Sequence, residues 1–155
     1  MHFRITGLAP EPFAPLFALP DAALAAVHAV RSVVDAHPGV PCRVSLDDAA
    51  AGEEVVLVSF RHHDTASPFR ASGPIYVRRD AVRFDAVDRV PDAARRRLLS
   101  VRAYDAAGML VAAEVCEGEA VEPLFERMFG DAAAAYLHVH IARPGCFLCR
   151  VDRHS

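Results

Sequence analysis

The sequence predicts an α+β domain built mainly on an antiparallel sheet. Short segments in which apolar and polar residues alternate recur along the whole chain, as they do in half-buried strands. Turn signals rich in proline and glycine separate these segments, and few stretches have the 3.6-residue period of an amphipathic helix. The length of 155 residues fits one domain over residues 1–155. We therefore expect a single domain with about seven strands and about two helices.

The first half of the chain is predicted to hold one helix and four strands. The helix begins at Pro20-Asp21 and continues over residues 22–30, but the β-branched residues 31–36 also fit a strand, which leaves the end of the helix open. Alternation or a continuous apolar run predicts strands over residues 2–7, 42–46, 54–61 and 75–79. Residues 62–74 are predicted to form a long polar loop.

The second half is predicted to hold two hairpins and one helix. Residues 98–105 and 109–116 form the first hairpin, because a three-residue loop ending in glycine joins them. Its register places three apolar pairs on one face: Leu99–Val115, Val101–Ala113 and Ala103–Val111. Residues 119–129 form an amphipathic helix. Residues 80–96 are charged and irregular, and Arg95-Arg96-Arg97 is predicted to be a solvated charge run.

The composition excludes several kinds of chemistry. The formal net charge is -3, and the chain has no lysine, asparagine, glutamine or tryptophan. Without lysine there is no anchor for pyridoxal phosphate and no P-loop nucleotide site. The acidic balance argues against nucleic acid as a partner.

Location is predicted from the apolar runs and the cysteines. No apolar run approaches the length that spans a membrane, and the residues after Arg4 alternate rather than form the apolar core of a signal peptide. The four cysteines are Cys42, Cys116, Cys146 and Cys149. We expect a cytoplasmic protein with reduced thiols and no membrane partner.

Four short motifs carry a family resemblance. They are Phe-Arg-Ile-Thr-Gly-Leu at residues 3–8, Pro-Cys-Arg-Val-Ser-Leu at 41–46, Arg-Ala-Ser-Gly-Pro-Ile at 70–75, and Tyr-Leu-His-Val-His followed by Pro-Gly-Cys at 136–146. The pattern resembles an uncharacterised bacterial domain-of-unknown-function family over nearly the whole chain. The resemblance implies no activity. It includes Cys146 and Arg150 but no fixed second cysteine, which makes Cys149 the weaker candidate for a site.

The closing hairpin, residues 136–151, concentrates side chains capable of chemistry. Strand alternation puts Leu137, Val139 and Ile141 toward the core, and Tyr136, His138 and His140 on the opposite face. His-x-His on one strand face is a metal-ligand geometry, for which Cys146 or one of His62, His63 and Asp64 would supply a third ligand. The competing interpretation is that the histidines decorate a half-exposed sheet face without binding anything.

The turn of this hairpin decides which residues join the histidines, and the sequence leaves two alternatives open. A three-residue loop at Arg143 to Gly145 puts Cys146, Leu148 and Arg150 on the histidine face, whereas a four-residue loop from Ala142 puts Phe147 and Cys149 there. Residues three apart on a strand point to opposite faces, so Cys146 and Cys149 are predicted to be separate thiols rather than a zinc pair.

A second candidate region is the loop around Arg70. Arg70, Ser72 and the Gly73 amide offer donors for a carboxylate or phosphate, although an ordinary surface loop has the same composition. We therefore hypothesise a small-molecule site for an anionic metabolite, with histidine as general acid–base and arginine as anion clamp. Its catalytic candidates are His138 and His140, and its ligand-binding candidates are Arg70, Ser72, Gly73, Tyr136, Cys146 and Arg150.

Two rival hypotheses use the same hairpin. In the first, the protein is a non-catalytic interaction domain whose partner or homodimer surface consists of Tyr136, His138, His140 and Phe147. In the second, it binds a divalent metal through His138, His140 and Cys146. The sequence alone does not decide whether the protein is an enzyme.

Overall fold

Two antiparallel sheets form the body of the protein. A computed structural model describes all 155 residues and contains nine strands and three α-helices. The strands are β1 (His2–Thr6), β2 (Ala29–Val33), β3 (Glu54–His63), β4 (Ala71–Arg78), β5 (Asp85–Val87), β6 (Leu98–Tyr104), β7 (Leu110–Glu117), β8 (Tyr136–Ile141) and β9 (Phe147–His154). The helices are α1 (Asp21–Ala26), α2 (Asp92–Arg95) and α3 (Val121–Phe129), with 3-10 turns at Ala14–Ala18 and Gly118–Ala120. None of the helices has the length and apolar character needed to cross a membrane.

The strand order explains which elements can meet. The larger sheet has the order β5-β1-β9-β8-β6-β7, and the smaller one has the order β2-β3-β4. All the strand pairs within both sheets are antiparallel. The predicted α+β class with a mainly antiparallel sheet is therefore confirmed, with more strands than expected.

Each sheet packs against its own large apolar cluster. On the larger sheet, Leu124, Phe125 and Met128 of α3 are buried in a cluster of 21 residues, and the Phe125 ring meets Phe3 edge-on at 5.2 Å. On the smaller sheet, Phe17 and Leu24 belong to a separate cluster of 11 residues. Burying one such side chain contributes about 1.5–3 kcal/mol. The faces that the sheets turn toward each other combine polar side chains such as His138 with apolar ones such as Leu57.

The helix over residues 22–30 was predicted too long. Helix α1 ends at Ala26, and His28 has a positive φ of 56°, which turns the chain into strand β2. The β-branched residues that follow therefore pair with β3 instead of extending the helix.

The strand predicted at residues 42–46 is also wrong. Pro41 and Cys42 make only isolated bridges, and the next residues turn. Their backbone is held by several elements instead: Arg43 N–H donates to the Tyr76 carbonyl, and the Arg43 carbonyl accepts from Leu8 N–H. This segment joins the two sheets and carries Arg43 into the space between them.

The loop predicted over residues 62–74 is shorter than expected. Strand β3 extends through His63 and β4 begins at Ala71, with an irregularity in the pairing between Phe60 and His63. Ser72 and Gly73 therefore lie on a strand, where their side-chain directions are set by the sheet rather than by a loop.

The first predicted hairpin forms, but with a different register. Leu99 pairs with Cys116 and Val101 with Glu114, one position away from the prediction. An irregularity between Ala103 and Tyr104, beside the turn, causes the shift. As a result Val115 of the edge strand β7 is 61% exposed instead of joining the core.

Candidate functional site

The closing hairpin contains a bulge that neither predicted turn anticipates. Phe147 pairs with His140, and Arg150 pairs with His138, because the register shifts between Val139 and His140. Phe147 contacts the rings of both histidines, and Arg150 stacks on Tyr136 at 4.2 Å. The histidine face thus carries Phe147, as expected for the four-residue loop, and Arg150, as expected for the three-residue loop. Leu148, which the bulge leaves unpaired, and Cys149 point to the other face and belong to the apolar core.

The row of Tyr136, His138 and His140 faces the smaller sheet and is covered by it. His138 is 3% exposed and His140 is 2% exposed, so neither decorates an open sheet face. The covering side chains come from the irregular end of β3. The His62 ring stacks on Phe147 at 5.1 Å and meets His140 edge-on at 5.3 Å.

Three histidines converge in this layer. One ring nitrogen each from His62, His138 and His140 lies within 4.8 Å of the others. His140 Nδ1 is 2.9 Å from the Gly145 carbonyl oxygen, to which it donates, so its Nε2 carries the lone pair. That nitrogen, His138 Nδ1 and His62 Nδ1 are buried without a hydrogen-bond partner. Buried polar atoms are rarely left unpaired, so this cluster requires an explanation.

Burial keeps the three imidazoles uncharged. It lowers the pKa of His138 to about 2, with a further contribution from His63. It also lowers the pKa of His62 and of His140 to about 4, and the hydrogen bond to Gly145 only partly offsets the effect on His140. At neutral pH all three rings are therefore neutral and have nitrogen lone pairs available.

His63 lies beside this cluster but plays a different part. Its Nε2 accepts from the Tyr136 hydroxyl at 2.6 Å, and its Nδ1 donates to the Phe69 carbonyl at 2.9 Å. Both ring nitrogens are therefore occupied. Asp64, another predicted third ligand, lies at the exposed end of the loop near Arg61 and Arg70.

A cavity of about 750 Å³ adjoins the histidine cluster, and His62 forms part of its wall. Four arginines and one glutamate line it, namely Arg43, Arg96, Arg97, Arg143 and Glu117. Other polar groups in its wall are Ser72, Gly73, Tyr76 and Cys146. Only Arg97 among the arginines forms an ion pair with a carboxylate, so the lining has an excess of positive charge.

Arg43 is the most deeply placed cation of this cavity. Its side chain is 2% exposed, and it donates to the Phe147 carbonyl at 2.8 Å, to the Pro41 carbonyl at 2.6 Å and to Cys146 Sγ at 3.0 Å. Burial lowers the pKa of Arg43, but a guanidinium remains charged at neutral pH. No carboxylate balances this charge.

Asp48 binds two residues of the cavity wall, Arg97 and Gly39. Its carboxylate accepts from Arg97 at 2.6 and 2.8 Å and from the Gly39 amide at 2.8 Å. Burial alone would raise the pKa of Asp48, but these hydrogen bonds outweigh it and the net pKa is lowered. The predicted solvated run at residues 95–97 is therefore wrong for two of its members: Arg97 pairs with Asp48 and Arg95 with Glu122, whereas Arg96 is exposed at the cavity.

The residues predicted for a ligand site separate into two groups. Ser72, Gly73 and Cys146 line the cavity, whereas Arg70, Tyr136 and Arg150 do not. Arg70 is at the surface near Asp64, and Arg150 pairs with Asp152 at 2.8 Å. Phe147 is 3% exposed, so together with the buried histidines it offers little surface to a partner.

The sequence patterns did not identify the four cavity arginines or Asp48 as site residues. The Arg-Pro-Gly turn at Arg143 was a signal for one of them, because turn residues beside a strand end often carry binding groups. Nothing local marked Arg43, whose contact with Phe147 spans 104 residues of chain.

No curated protein and no solved structure matches the chain. The model of one protein family, described as "Protein of unknown function (DUF1203)", matches residues 39–153, which include every cavity and cluster residue named above. The chain therefore belongs to the DUF1203 family.

Proposed function

We propose that the protein binds a small anionic metabolite in the cavity between its sheets. The observation that carries this proposal is the buried guanidinium of Arg43, which has no carboxylate partner. A charge removed from water is costly unless an opposite charge or strong hydrogen bonds compensate for it. Two carbonyls and one sulfur use three of the five N–H donors of the guanidinium, which leaves donors for an anion.

Arg96 and Arg143 support the same ligand class. Both are exposed, both line the cavity and neither forms an ion pair. They lie outside the buried Arg43, so an anion entering the cavity would meet positive charge along its path. Guanidinium groups bind carboxylates and phosphates through paired hydrogen bonds.

The cavity also has the size and the mixed lining of a metabolite site. Its volume of about 750 Å³ falls within the roughly 300–1,000 Å³ usual for small-molecule pockets. Leu57, Pro74 and Ile141 provide an apolar part of the wall, and Ser72 and Tyr76 provide neutral polar groups. This combination favours an organic acid or a phosphorylated small molecule over an inorganic ion alone.

The test is ligand-induced stabilisation by defined anions. Inorganic phosphate, pyrophosphate and citrate are added at constant ionic strength, with chloride as the reference, and the Tm is followed. An anion present at 100 times its Kd should raise the free energy of unfolding by about 2.7 kcal/mol. Titration calorimetry then gives the stoichiometry, which should be one anion per chain.

Matched arginine variants locate the binding. Arg96→Ala combined with Arg143→Ala should abolish the stabilisation, whereas Arg70→Ala, which removes an exposed arginine outside the cavity, should preserve it. The proposal fails if none of the anions stabilises the wild type, or if Arg70→Ala weakens the response as much as the double variant does.

We further propose that the protein works in a reducing bacterial cytoplasm. All four cysteines are free thiols, and Cys146 lies in the cavity wall beside Arg43. An oxidising compartment would expose that thiol to modification at the proposed site.

A further inference from the structure

We propose that His62, His138 and His140 form a site for one divalent transition-metal ion of the zinc class. The inference does not depend on the anion site, because it rests on a different set of side chains. Three observations carry it: one nitrogen of each ring lies within 4.8 Å of the others, each ring has a buried nitrogen without a partner, and a hydrogen bond orients His140.

The spacing leaves room for an ion at bonding distance after a small adjustment. For three atoms within 4.8 Å of one another, some point lies no more than about 2.8 Å from each of them. Zinc–imidazole bonds are about 2.0–2.1 Å long, so each ring would move inward by at most about 0.8 Å. Small rotations of the side chains provide a movement of this size.

The unpaired nitrogens are the groups that a metal would use. His138 Nδ1, His140 Nε2 and His62 Nδ1 are all shielded from solvent and have no hydrogen-bond partner in the protein. The two β8 histidines are at most 3% exposed, so bulk water does not satisfy them. A bound ion would convert three uncompensated polar atoms into three ligands.

His140 also has the outer hydrogen bond expected of a metal ligand. A coordinating histidine usually donates its second ring N–H to a carbonyl or carboxylate, which fixes the ring and its tautomer. His140 donates from Nδ1 to the Gly145 carbonyl at 2.9 Å, which leaves Nε2 for the ion. By contrast, both nitrogens of the adjacent His63 are occupied, so it is not a ligand.

The donor set selects the class of ion. Three neutral imidazoles without a carboxylate suit zinc and its transition-metal neighbours, whereas magnesium and calcium require oxygen ligands. Three protein ligands also leave at least one coordination position for water or another small ligand. Since His62 also lines the cavity, the two proposed sites adjoin each other.

The test uses the full chain without an affinity tag, stripped of metal by a chelator. Equilibrium dialysis against Zn²⁺ alone should give one ion per chain, and Co²⁺ alone should give the visible absorption of a low-coordinate nitrogen site. Histidine nitrogen NMR should show three ring nitrogens shifting on Zn²⁺ addition, with those of His63 unchanged.

Two variants make the result specific. His62→Ala should weaken Zn²⁺ binding by more than about 100-fold, beyond the roughly 10–100-fold cost of losing an outer-shell partner. His62 is the least buried of the three, and circular dichroism checks that the variant folds. His154→Ala, which removes an exposed histidine outside the cluster, should bind as the wild type does.

Clear outcomes would overturn the proposal. It fails if the stripped wild type takes up no Zn²⁺ or Co²⁺, if His62→Ala binds as tightly as the wild type, or if His154→Ala loses as much affinity as His62→Ala. The Arg96→Ala and Arg143→Ala double variant should keep its metal, which separates failure of this site from failure of the anion site.

Discussion

The two faces of strand β8 are equally buried but built from opposite chemistry. Leu137 and Val139 on one face are 0% and 1% exposed, and His138 and His140 on the other are 3% and 2% exposed. The first pair packs in the apolar cluster that includes α3, and the second pair lies against rings from β3 and β9.

This comparison teaches that burial alone does not measure a contribution to stability. The apolar face gains free energy from the area it removes from water, about 25 cal/mol per Å². The histidine face contains buried nitrogens without partners, each of which costs about 1–3 kcal/mol. A local cost of this kind is expected where a functional site is built into a fold.

The largest expected effect comes from the apolar face. Leu137→Ala removes a fully buried side chain from the core of the larger sheet and should cost about 2–5 kcal/mol. Urea unfolding followed by far-UV circular dichroism measures this loss. A cost below about 1 kcal/mol would mean that the two faces do not differ as we describe.

The next prediction is a pH dependence to which the histidine face contributes. In the metal-free protein, the pKa of His138 is about 2 and that of His62 and His140 about 4, against 6.5 for exposed histidine. Between about pH 6.5 and 4 these histidines therefore bind protons in the unfolded chain but not in the folded protein. The free energy of unfolding should fall as the pH falls.

Replacing one of these histidines should reduce that slope by a known amount. His138→Leu removes one titrating group, so the dependence of unfolding free energy on pH should decrease by about 1.4 kcal/mol per pH unit in this window. Unfolding curves at half-unit pH steps measure the difference. Identical slopes in the two proteins would contradict the neutral state assigned to His138.

At neutral pH the same substitution should change stability little, in contrast to Leu137→Ala. His138→Leu replaces a buried, partly unpaired polar ring with an apolar side chain of similar bulk, a change that is often neutral or stabilising. We expect a difference within about 1 kcal/mol of the wild type. A loss as large as that of Leu137→Ala would indicate that the histidine face supports the fold.

The smallest effect is expected at the exposed edge of the histidine face. Arg150 stacks on Tyr136 and pairs with Asp152, but its side chain is 45% exposed. Arg150→Ala should therefore cost less than about 1 kcal/mol in thermal unfolding. It should also leave the stabilisation by anions unchanged. Loss of that stabilisation would indicate that Arg150 takes part in anion binding after all.

The sequence predicted the fold class and the two faces of β8 well. Alternation assigns Leu137, Val139 and Ile141 to one side and the histidines to the other. Because side chains of a strand alternate with a period of two, this assignment depends on the segment alone and not on its neighbours in the fold. Cys146 and Cys149 do lie apart, in the cavity wall and in the core, but Cys146 precedes β9, so strand alternation is not the reason.

What escaped prediction depends on long-range contacts and local irregularities. The bulges in β3 and β9 shift the phase of alternation, and they bring His62 and Phe147 to the histidine layer. Arg43 is defined by partners on distant parts of the chain, which no local pattern encodes. Arg96 and Arg97 appear as a charge run until α2 places them beside the cavity.

The separation of the two apolar cores has a consequence for how the cavity opens. Polar contacts link the two layers: His63 of β3 with Tyr136 of β8, and, from the segment that joins the sheets, Arg43 with Phe147 and Asp48 with Arg97. Separating the layers would therefore expose less apolar surface than unfolding either sheet. We expect partial opening of the protein to occur between the layers. We expect hydrogen exchange at the inner strands to slow when an anion is bound, since the anion would contact residues of both layers.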